Sequence, residues 1–90
     1  MPSETVKIVN QRGLHARASA KFVGMVTEQC EGVEVTVSKD GVSAGGGSIL
    51  GLMMLGAAKG DTVEISTAGE GADEALAALV ALVRGGFDED

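Results

Sequence analysis

The fold of this chain is decided by residues 33–44, which are Val-Glu-Val-Thr-Val-Ser-Lys-Asp-Gly-Val-Ser-Ala. The three valines alternate with polar residues, so they share one face of a predicted strand while Glu and Thr lie on the other. The Asp40-Gly41 pair then predicts a tight hairpin turn into a short strand around residues 42–44. One apolar face and one polar face are typical of an antiparallel sheet that is covered on one side only.

The rest of the chain supplies the partners of this hairpin. The same alternation predicts strands at residues 5–9 and 62–66, whereas apolar residues at helical spacing predict helices at 16–29 and 72–83. A shorter helix is expected at 48–55, with Ser48 as its N-cap. The order is β-α-β-β-α-β-α. We therefore predict an α+β fold, a two-layer open-faced sandwich in which a four-stranded antiparallel sheet carries three helices on one face.

Length and composition limit the architecture to one small domain. The chain has 90 residues, of which 44% are hydrophobic and 22% are charged, as expected of a globular protein. We predict a single domain over residues 1–90, with residues 87–90 as a frayed acidic end. No apolar run approaches the ~18 residues that a membrane helix needs, and the first residues do not resemble a secretory signal. The expected protein is a cytoplasmic monomer without stable membrane association.

The charge is unevenly distributed along the chain. The net charge of −6 argues against nucleic acid or an anionic membrane as the main partner. Residues 1–30 nevertheless carry a balance of +2, whereas residues 61–90 carry −7. This asymmetry is either ordinary surface scatter or a basic face for an anion or an acidic partner. Lys21 would make a modest contribution to such a face as a solvated residue of the first helix.

The single histidine, His15, precedes the first predicted helix directly. At this N-cap position its side chain would lie beside the unpaired N–H groups of the first turn, which favour an anion. The same positive helix end disfavours a second positive charge, so we expect an uncharged, nucleophilic ring. Arg17 offers a planar set of donors for phosphoryl oxygens, and Gly13 permits a close backbone approach. These features favour a transient phosphohistidine over a purely structural or exposed histidine.

Other chemistries find less support in the sequence. With one histidine and only Cys30 as a cysteine, the chain lacks a ligand set for a metal and has no internal disulfide. No Gly-x-Ser-x-Gly turn suggests a hydrolase, and the glycine run at 45–47 does not match a nucleotide phosphate loop. Two aromatic residues are little material for a small-molecule pocket. We expect neither a cofactor nor a metal.

The stretch at residues 12–23, Arg-Gly-Leu-His-Ala-Arg-Ala-Ser-Ala-Lys-Phe-Val, resembles the phosphorylation-site motif of the HPr family. Members of this family are histidine-containing phosphocarriers of the bacterial phosphoenolpyruvate-dependent phosphotransferase system. The element order also matches, and residues 45–60 resemble the second family signature. The resemblance implies that His15 is phosphorylated on Nδ1 by enzyme I and passes the group to EIIA-type proteins. Such a carrier is not an enzyme with its own turnover.

Two positions depart from the family pattern. Ala18 stands where most members have proline, so the first turn keeps an extra N–H donor and is expected to be slightly less rigid. Glycines occupy residues 45–47, where many relatives carry lysine or another larger residue before the serine. This departure removes a positive charge beside Ser48.

Ser48 and the helix that it begins have both structural and functional interpretations. Its position directly before the predicted helix makes Ser48 a helix N-cap. The resemblance implies in addition that Ser48 matches a regulatory serine phosphorylated by HPr kinase/phosphorylase. The helix is apolar nearly all round, and is either deeply buried or split between the core and an exposed docking patch. We favour the split, with Ile49, Leu52 and Leu55 or their neighbours inward. The resemblance implies docking contacts with enzyme I and EIIA at Ile49, Leu50 and Met53.

Two functions remain in competition at this point. The favoured one is a phosphocarrier in which His15 accepts and donates the phosphoryl group, Arg17 orients it and Ser48 is regulatory. The alternative is a non-catalytic regulatory module that docks partners through the Met/Leu helix, with His15 as a cap only. The sequence leaves open whether a carrier would serve the sugar-transport or the nitrogen-related branch.

Overall fold

A computed structural model describes residues 2–88 of the chain. The strands are β1 (Ser3–Lys7), β2 (Glu34–Lys39), β3 (Val42–Gly45) and β4 (Thr62–Ala68). The helices are α1 (Ala16–Gln29), α2 (Ile49–Met54) and α3 (Ala72–Arg84), followed by a short 3₁₀ turn at Gly86–Asp88. The predicted element order is confirmed, and the bounds of α1 agree with those expected from the sequence.

The four strands form one antiparallel sheet in the order β1-β4-β2-β3. In its register Val6 of β1 lies opposite Val63 of β4, and Val37 of β2 lies opposite Ile65 of β4. All four of these side chains are buried, because a strand's side chains alternate between its two faces. Their neighbours along β1 and β4 are largely exposed. The three helices therefore cover one face of the sheet, as predicted.

The hairpin between β2 and β3 is a two-residue turn. Lys39 pairs with Val42, and the two residues between them, Asp40 and Gly41, have φ angles of 51° and 83°. Two consecutive positive φ values give the turn the twist that matches the flanking strands. The Asp-Gly signal in the sequence thus predicted both the position and the geometry of this turn.

The core lies between the sheet and the helices. Its largest fully buried side chains include Phe22 of α1, Leu52 of α2 and Leu79 of α3, so every helix contributes to it. Ser19 of α1 is also fully buried, because it lies in the apolar stripe of that helix. This packing fixes the start of α1 against the rest of the domain.

The predicted fraying of residues 87–90 is wrong for Phe87. This side chain is fully buried, in a backbone conformation with a φ of 58°. Its carbonyl oxygen accepts a 2.6 Å hydrogen bond from Lys21 Nζ, which ties the end of the chain to α1. The free energy gained by burying a large aromatic ring offsets the conformational entropy lost when the residues around it become ordered. Glu89 and Asp90, which the same prediction included, lie outside the described residues.

Candidate functional site

His15 is the N-cap of α1, in the extended conformation with φ −77° and ψ −178°. Its ring is half-buried, and its Nδ1 atom accepts a hydrogen bond from the backbone N–H of Arg17 at 3.3 Å. The predicted placement at the helix start is therefore confirmed. The ring is neither enclosed in the core nor turned away from the first-turn amides.

This hydrogen bond shows which ring nitrogen acts as an acceptor. A nitrogen that accepts an N–H carries a lone pair, so in the neutral imidazole the proton is on Nε2. At 3.3 Å this bond is longer than the ~2.9–3.0 Å that is usual for an N–H···O hydrogen bond. Nδ1 is thus held against the helix start by a weak bond that a stronger acceptor can replace.

The loop before His15 is held close to the segment that follows α2. Leu14 N–H donates to the carbonyl oxygen of Ala57 at 3.0 Å, and the Leu14 side chain is buried. Gly13 has a φ of +62°, and a methyl group on it would overlap the Ala57 carbonyl and lie 2.8 Å from Ala58 Cα. A larger residue at position 13 would therefore displace the loop that presents His15.

Two buried polar side chains complete this support. Asn10 Nδ2 donates to the Gly13 carbonyl at 2.8 Å, while Gly13 N–H donates to the Asn10 carbonyl at 3.2 Å. On α1, Ser19 Oγ donates to the Leu14 carbonyl at 3.3 Å, and Ser19 N–H donates to the His15 carbonyl at 2.9 Å. Ser19 thereby holds the carbonyl groups of Leu14 and of His15 itself.

Sequence analysis missed the role of these two residues. Ser19 is one of the buried residues of α1, and the helical spacing that places it there does not indicate what its hydroxyl group bonds to. Asn10 directly follows the residues predicted as the first strand. An amide side chain at the end of a strand was the one available sign of a loop-stabilising bond, because a buried amide needs hydrogen-bond partners. Neither bond could be assigned without the tertiary structure.

Arg17 and Ala18 lie in the first turn of α1. The Arg17 side chain is exposed, and no ion pair among residues 2–88 occupies its guanidinium. Ala18 is fully buried, so its methyl group packs into the core. The first-turn N–H groups of a helix have no intrahelical acceptor. An anion on Nδ1 would therefore meet backbone donors together with an available guanidinium.

Ser48 begins α2 as predicted. The side chain is exposed, and its Oγ accepts the Gly51 N–H at 2.9 Å. The glycines before it differ in their surroundings: a methyl group on Gly46 would lie 2.8 Å from Val35 Cβ, whereas one on Gly47 would meet no atom within 4 Å. A side chain at position 47 would therefore fit without a clash, whereas the glycine at 46 is required by packing.

The apolar residues of α2 are divided between core and surface. Leu52 and Leu55 are buried, which confirms the split helix and rules out the deeply buried one. The prediction that Ile49 faces inward is wrong, because this side chain is 41% exposed. The short helix turns its first apolar residue outward beside the exposed Ser48. We call the exposed set of this helix the α2 patch; it comprises Ile49, Leu50, Met53 and Met54.

The sequence predicted Lys21 as a solvated residue of a basic face, but the structure shows that its side chain is engaged in a hydrogen bond. Its Nζ donates to the Phe87 carbonyl, and the residue is half-buried. The side chain therefore anchors the C-terminal turn to α1. Of the basic residues near His15 in the sequence, Arg12 and Arg17 are exposed.

Cys30 is buried at the C-cap of α1, and this burial raises the pKa of its thiol. Residues 2–88 contain no group of three or more side chains able to hold a metal ion. Within the same part of the chain, no helix has the length and apolar character needed to cross a membrane.

Comparison with known proteins agrees with this geometry. The family model described as "PTS HPr component phosphorylation site" matches residues 2–85. The chain is 46% identical to the phosphocarrier protein HPr of Pseudomonas aeruginosa, with 99% of this chain and 98% of that protein covered. It is 41% identical to the phosphocarrier protein NPr of Escherichia coli, with 97% and 96% covered. A solved structure of HPr from Thermoanaerobacter tengcongensis superposes with a TM-score of 0.92 at 37% identity, covering 100% of this chain and 99% of that one.

Proposed function

This chain belongs to the HPr family of phosphocarrier proteins, and on that premise we propose that His15 accepts a phosphoryl group from phospho-enzyme I and passes it to an EIIA-type protein. The observation that carries the proposal is the Nδ1 atom of His15, which faces the first-turn amides of α1 with its lone pair. The protein then has no turnover of its own. A partner completes the site at each transfer.

The proposed transfer uses groups already in place around the ring. Nδ1 attacks phosphorus, and the bond between phosphorus and the donor breaks with its electron pair staying on the donor. The Arg17 N–H, which now donates to Nδ1, turns to a phosphoryl oxygen, where a charge-assisted bond is stronger. The Arg17 guanidinium neutralises the remaining charge. Transfer onward repeats the exchange in reverse, with the acceptor as nucleophile.

Phosphorylation in vitro tests the proposal directly. Incubation with enzyme I, phosphoenolpyruvate and Mg²⁺, which serves the autophosphorylation of enzyme I, is expected to give an acid-labile, base-stable adduct. The His15→Ala variant should take up no phosphoryl group. An adduct that persists in this variant, or none on the native chain, would contradict the proposed function.

The role of Arg17 is tested by comparing two exposed arginines. Arg17→Ala should slow transfer by about 10–100-fold, the loss of one strong charge stabiliser. Arg12→Ala removes the same charge from the loop before His15 and is the matched control, for which we expect only the loss of general electrostatic attraction. Equal effects of the two variants would show that Arg17 acts by charge alone.

We propose that the α2 patch is where partners dock. α2 packs against α1, and the chain leaving α2 supplies the Ala57 carbonyl that holds Leu14, so the patch is close to the His15 loop. Leu50 is 67% exposed, and truncation to alanine should raise the KM for the partner by about tenfold, or 1.4 kcal/mol. Val42→Ala, at a 57% exposed valine on β3, is the control and should leave KM unchanged.

We also propose that Ser48 is a site of regulatory phosphorylation by an HPr kinase. A phosphate there would place about −1.5 to −2 charges beside the α2 patch and would oppose docking to an acidic partner. The exposure of Ser48 supports access of a kinase. Incubation with HPr kinase and ATP should modify the native chain and not Ser48→Ala; modification of both would place the site elsewhere.

The competing function, a regulatory docking module, is favoured only by the exposure of the α2 patch. It requires that partner binding be indifferent to phosphorylation of His15 and to Arg17→Ala. Assays with EIIA-type proteins of the sugar and the nitrogen-related branches would at the same time assign the pathway, since both HPr and NPr proteins are among the relatives.

A further inference from the structure

We propose that Met54, together with Met53, is an oxidation site at which hydrogen peroxide forms methionine sulfoxide, and that this modification weakens docking through the α2 patch. The docking half of this inference rests on the proposed function. The site itself follows from how the structure distributes its sulfur atoms between surface and core.

Met54 is the most exposed large apolar residue among those described, at 76%, and Met53 is 40% exposed. Both lie on the last turn of α2, where a reagent can approach from solvent. Met25 on α1 is half-buried and packs against the core cluster. The molecule therefore contains an internal comparison: oxidation should proceed in the order Met54, then Met53, then Met25.

The single cysteine does not compete effectively for the same reagent. Peroxide reacts with the thiolate, and thiols react according to their thiolate fraction and exposure. Cys30 is only 2% exposed, and burial raises the pKa of its thiol, so at neutral pH little thiolate is present. The accessible sulfur in the described chain is thus concentrated on α2.

The reaction is a two-electron oxygen transfer. The thioether sulfur of Met54 attacks one oxygen of hydrogen peroxide, and the O–O bond breaks. Sulfur loses two electrons and keeps the transferred oxygen as a sulfoxide, while the departing hydroxide takes up the one proton released from that oxygen and leaves as water. The thioether is restored by methionine sulfoxide reductases, so the modification is reversible.

The sulfoxide changes the chemical character of the patch. An apolar, flexible side chain becomes polar, and docking onto an apolar partner surface would then bury a polar group without a fixed hydrogen-bond partner. Leu50, one helical turn before Met54, is exposed on the same short helix and would share the altered surface. The His15 loop is held by residues that contain no sulfur, so the acceptor nitrogen itself should be unaffected.

The test combines peptide mass mapping with a transfer assay. The native chain is treated with a graded excess of hydrogen peroxide, and oxidation at Met25, Cys30, Met53 and Met54 is followed over time. Met54 should be oxidised first and Met25 last. Oxidation of Met25 or Cys30 before Met54 would overturn the assignment of the site.

Transfer from phospho-enzyme I is then measured for treated and untreated samples of the native chain and of Met54→Leu, Met53→Leu and the double variant. Leucine keeps the apolar character but has no sulfur, and each variant is compared only with its own untreated sample. We expect treatment to raise the KM of the native chain by about tenfold, with little change in the double variant. Treatment that leaves the native KM unchanged, or that affects the double variant equally, would contradict the docking effect.

Failure of the inference can be told apart from failure of the proposed function. If the untreated native chain takes up no phosphoryl group, the docking half falls with the proposed function, whereas mass mapping still decides the oxidation order. If untreated transfer is normal and oxidation has no effect on it, the carrier function stands and this inference does not.

Discussion

The starts of α1 and α2 share one device and differ in what holds it in place. At each start a side chain accepts an N–H of the first turn: His15 Nδ1 from Arg17, and Ser48 Oγ from Gly51. The loop before His15 is held by Asn10, by the Ala57 carbonyl and by the buried hydroxyl of Ser19. The start of α2 is exposed, and the helix that follows has six residues.

This difference separates two tasks that one small domain has to perform. A nitrogen that exchanges a phosphoryl group gains from a fixed position, because misplacement of a reacting atom is costly to the rate. A surface that meets several partners gains from adaptable, exposed apolar side chains. The comparison therefore supports the proposal that phosphoryl transfer takes place at the start of α1 and partner recognition on α2, and mutations at either place test it.

The largest effect is expected at Gly13. Gly13→Ala combines a positive φ with overlap of the Ala57 carbonyl, and should lower the free energy of unfolding by about 2–5 kcal/mol. Gly32→Ala is the matched control: φ is +80° there too, but no atom lies within 4 Å of the added methyl, so about 1–2 kcal/mol is expected. Urea denaturation measures both. Equal losses would show that the contact with Ala57 does not hold the loop.

Much of this arrangement was predictable from the sequence, because it depends on local signals. The N-cap positions of His15 and Ser48 follow from the residues that precede each helical pattern, and the Asp40-Gly41 turn follows from its dipeptide. The HPr resemblance rested on the stretch around His15, on residues 45–60 and on the element order, and it is confirmed over residues 2–85.

The parts that the sequence did not reveal depend on contacts between distant residues. The bond from Lys21 to Phe87 joins positions that are 66 residues apart, whereas the local composition around Phe87 favours fraying. Ile49 was predicted to face inward but is exposed, because α2 packs against α1 and β3 through other residues, such as the buried Leu52. The Asn10 bond to Gly13 likewise required knowledge of the folded loop.

Asn10→Ala is expected to have the next largest effect. It removes a 2.8 Å bond and leaves the buried Gly13 carbonyl without that donor, at a cost of about 1–3 kcal/mol in the free energy of unfolding. Transfer by the folded fraction should also slow, since the His15 loop loses a support. Ser43→Ala removes an exposed bond to Ser38 and serves as control, with a change of about 0.5 kcal/mol or less. A folded Asn10→Ala protein with native transfer rates would show that the loop is held without this amide.

The smallest effect is expected at the exposed helix start. Ser48→Ala loses the cap of α2, worth about 0.5–2 kcal/mol, and should leave the rate of phosphorylation at saturating partner nearly unchanged. Ser48→Asp retains a capping acceptor but adds a charge, so it should preserve stability and raise the KM for an acidic partner. Thermal unfolding and steady-state transfer distinguish these effects. A large drop in the saturated transfer rate of Ser48→Ala would contradict the proposal that the start of α2 serves recognition and not the transfer step.

The central claim is that Nδ1 of His15 exchanges the Arg17 amide for a phosphoryl group. Nitrogen NMR of the ¹⁵N-labelled protein, recorded before and after phosphorylation by enzyme I, tests it most directly. We predict that phosphorus is bonded to Nδ1 and that the Arg17 amide resonance shifts strongly as its N–H moves to a phosphoryl oxygen. Phosphorus on Nε2, or an Arg17 amide that does not change, would contradict the account.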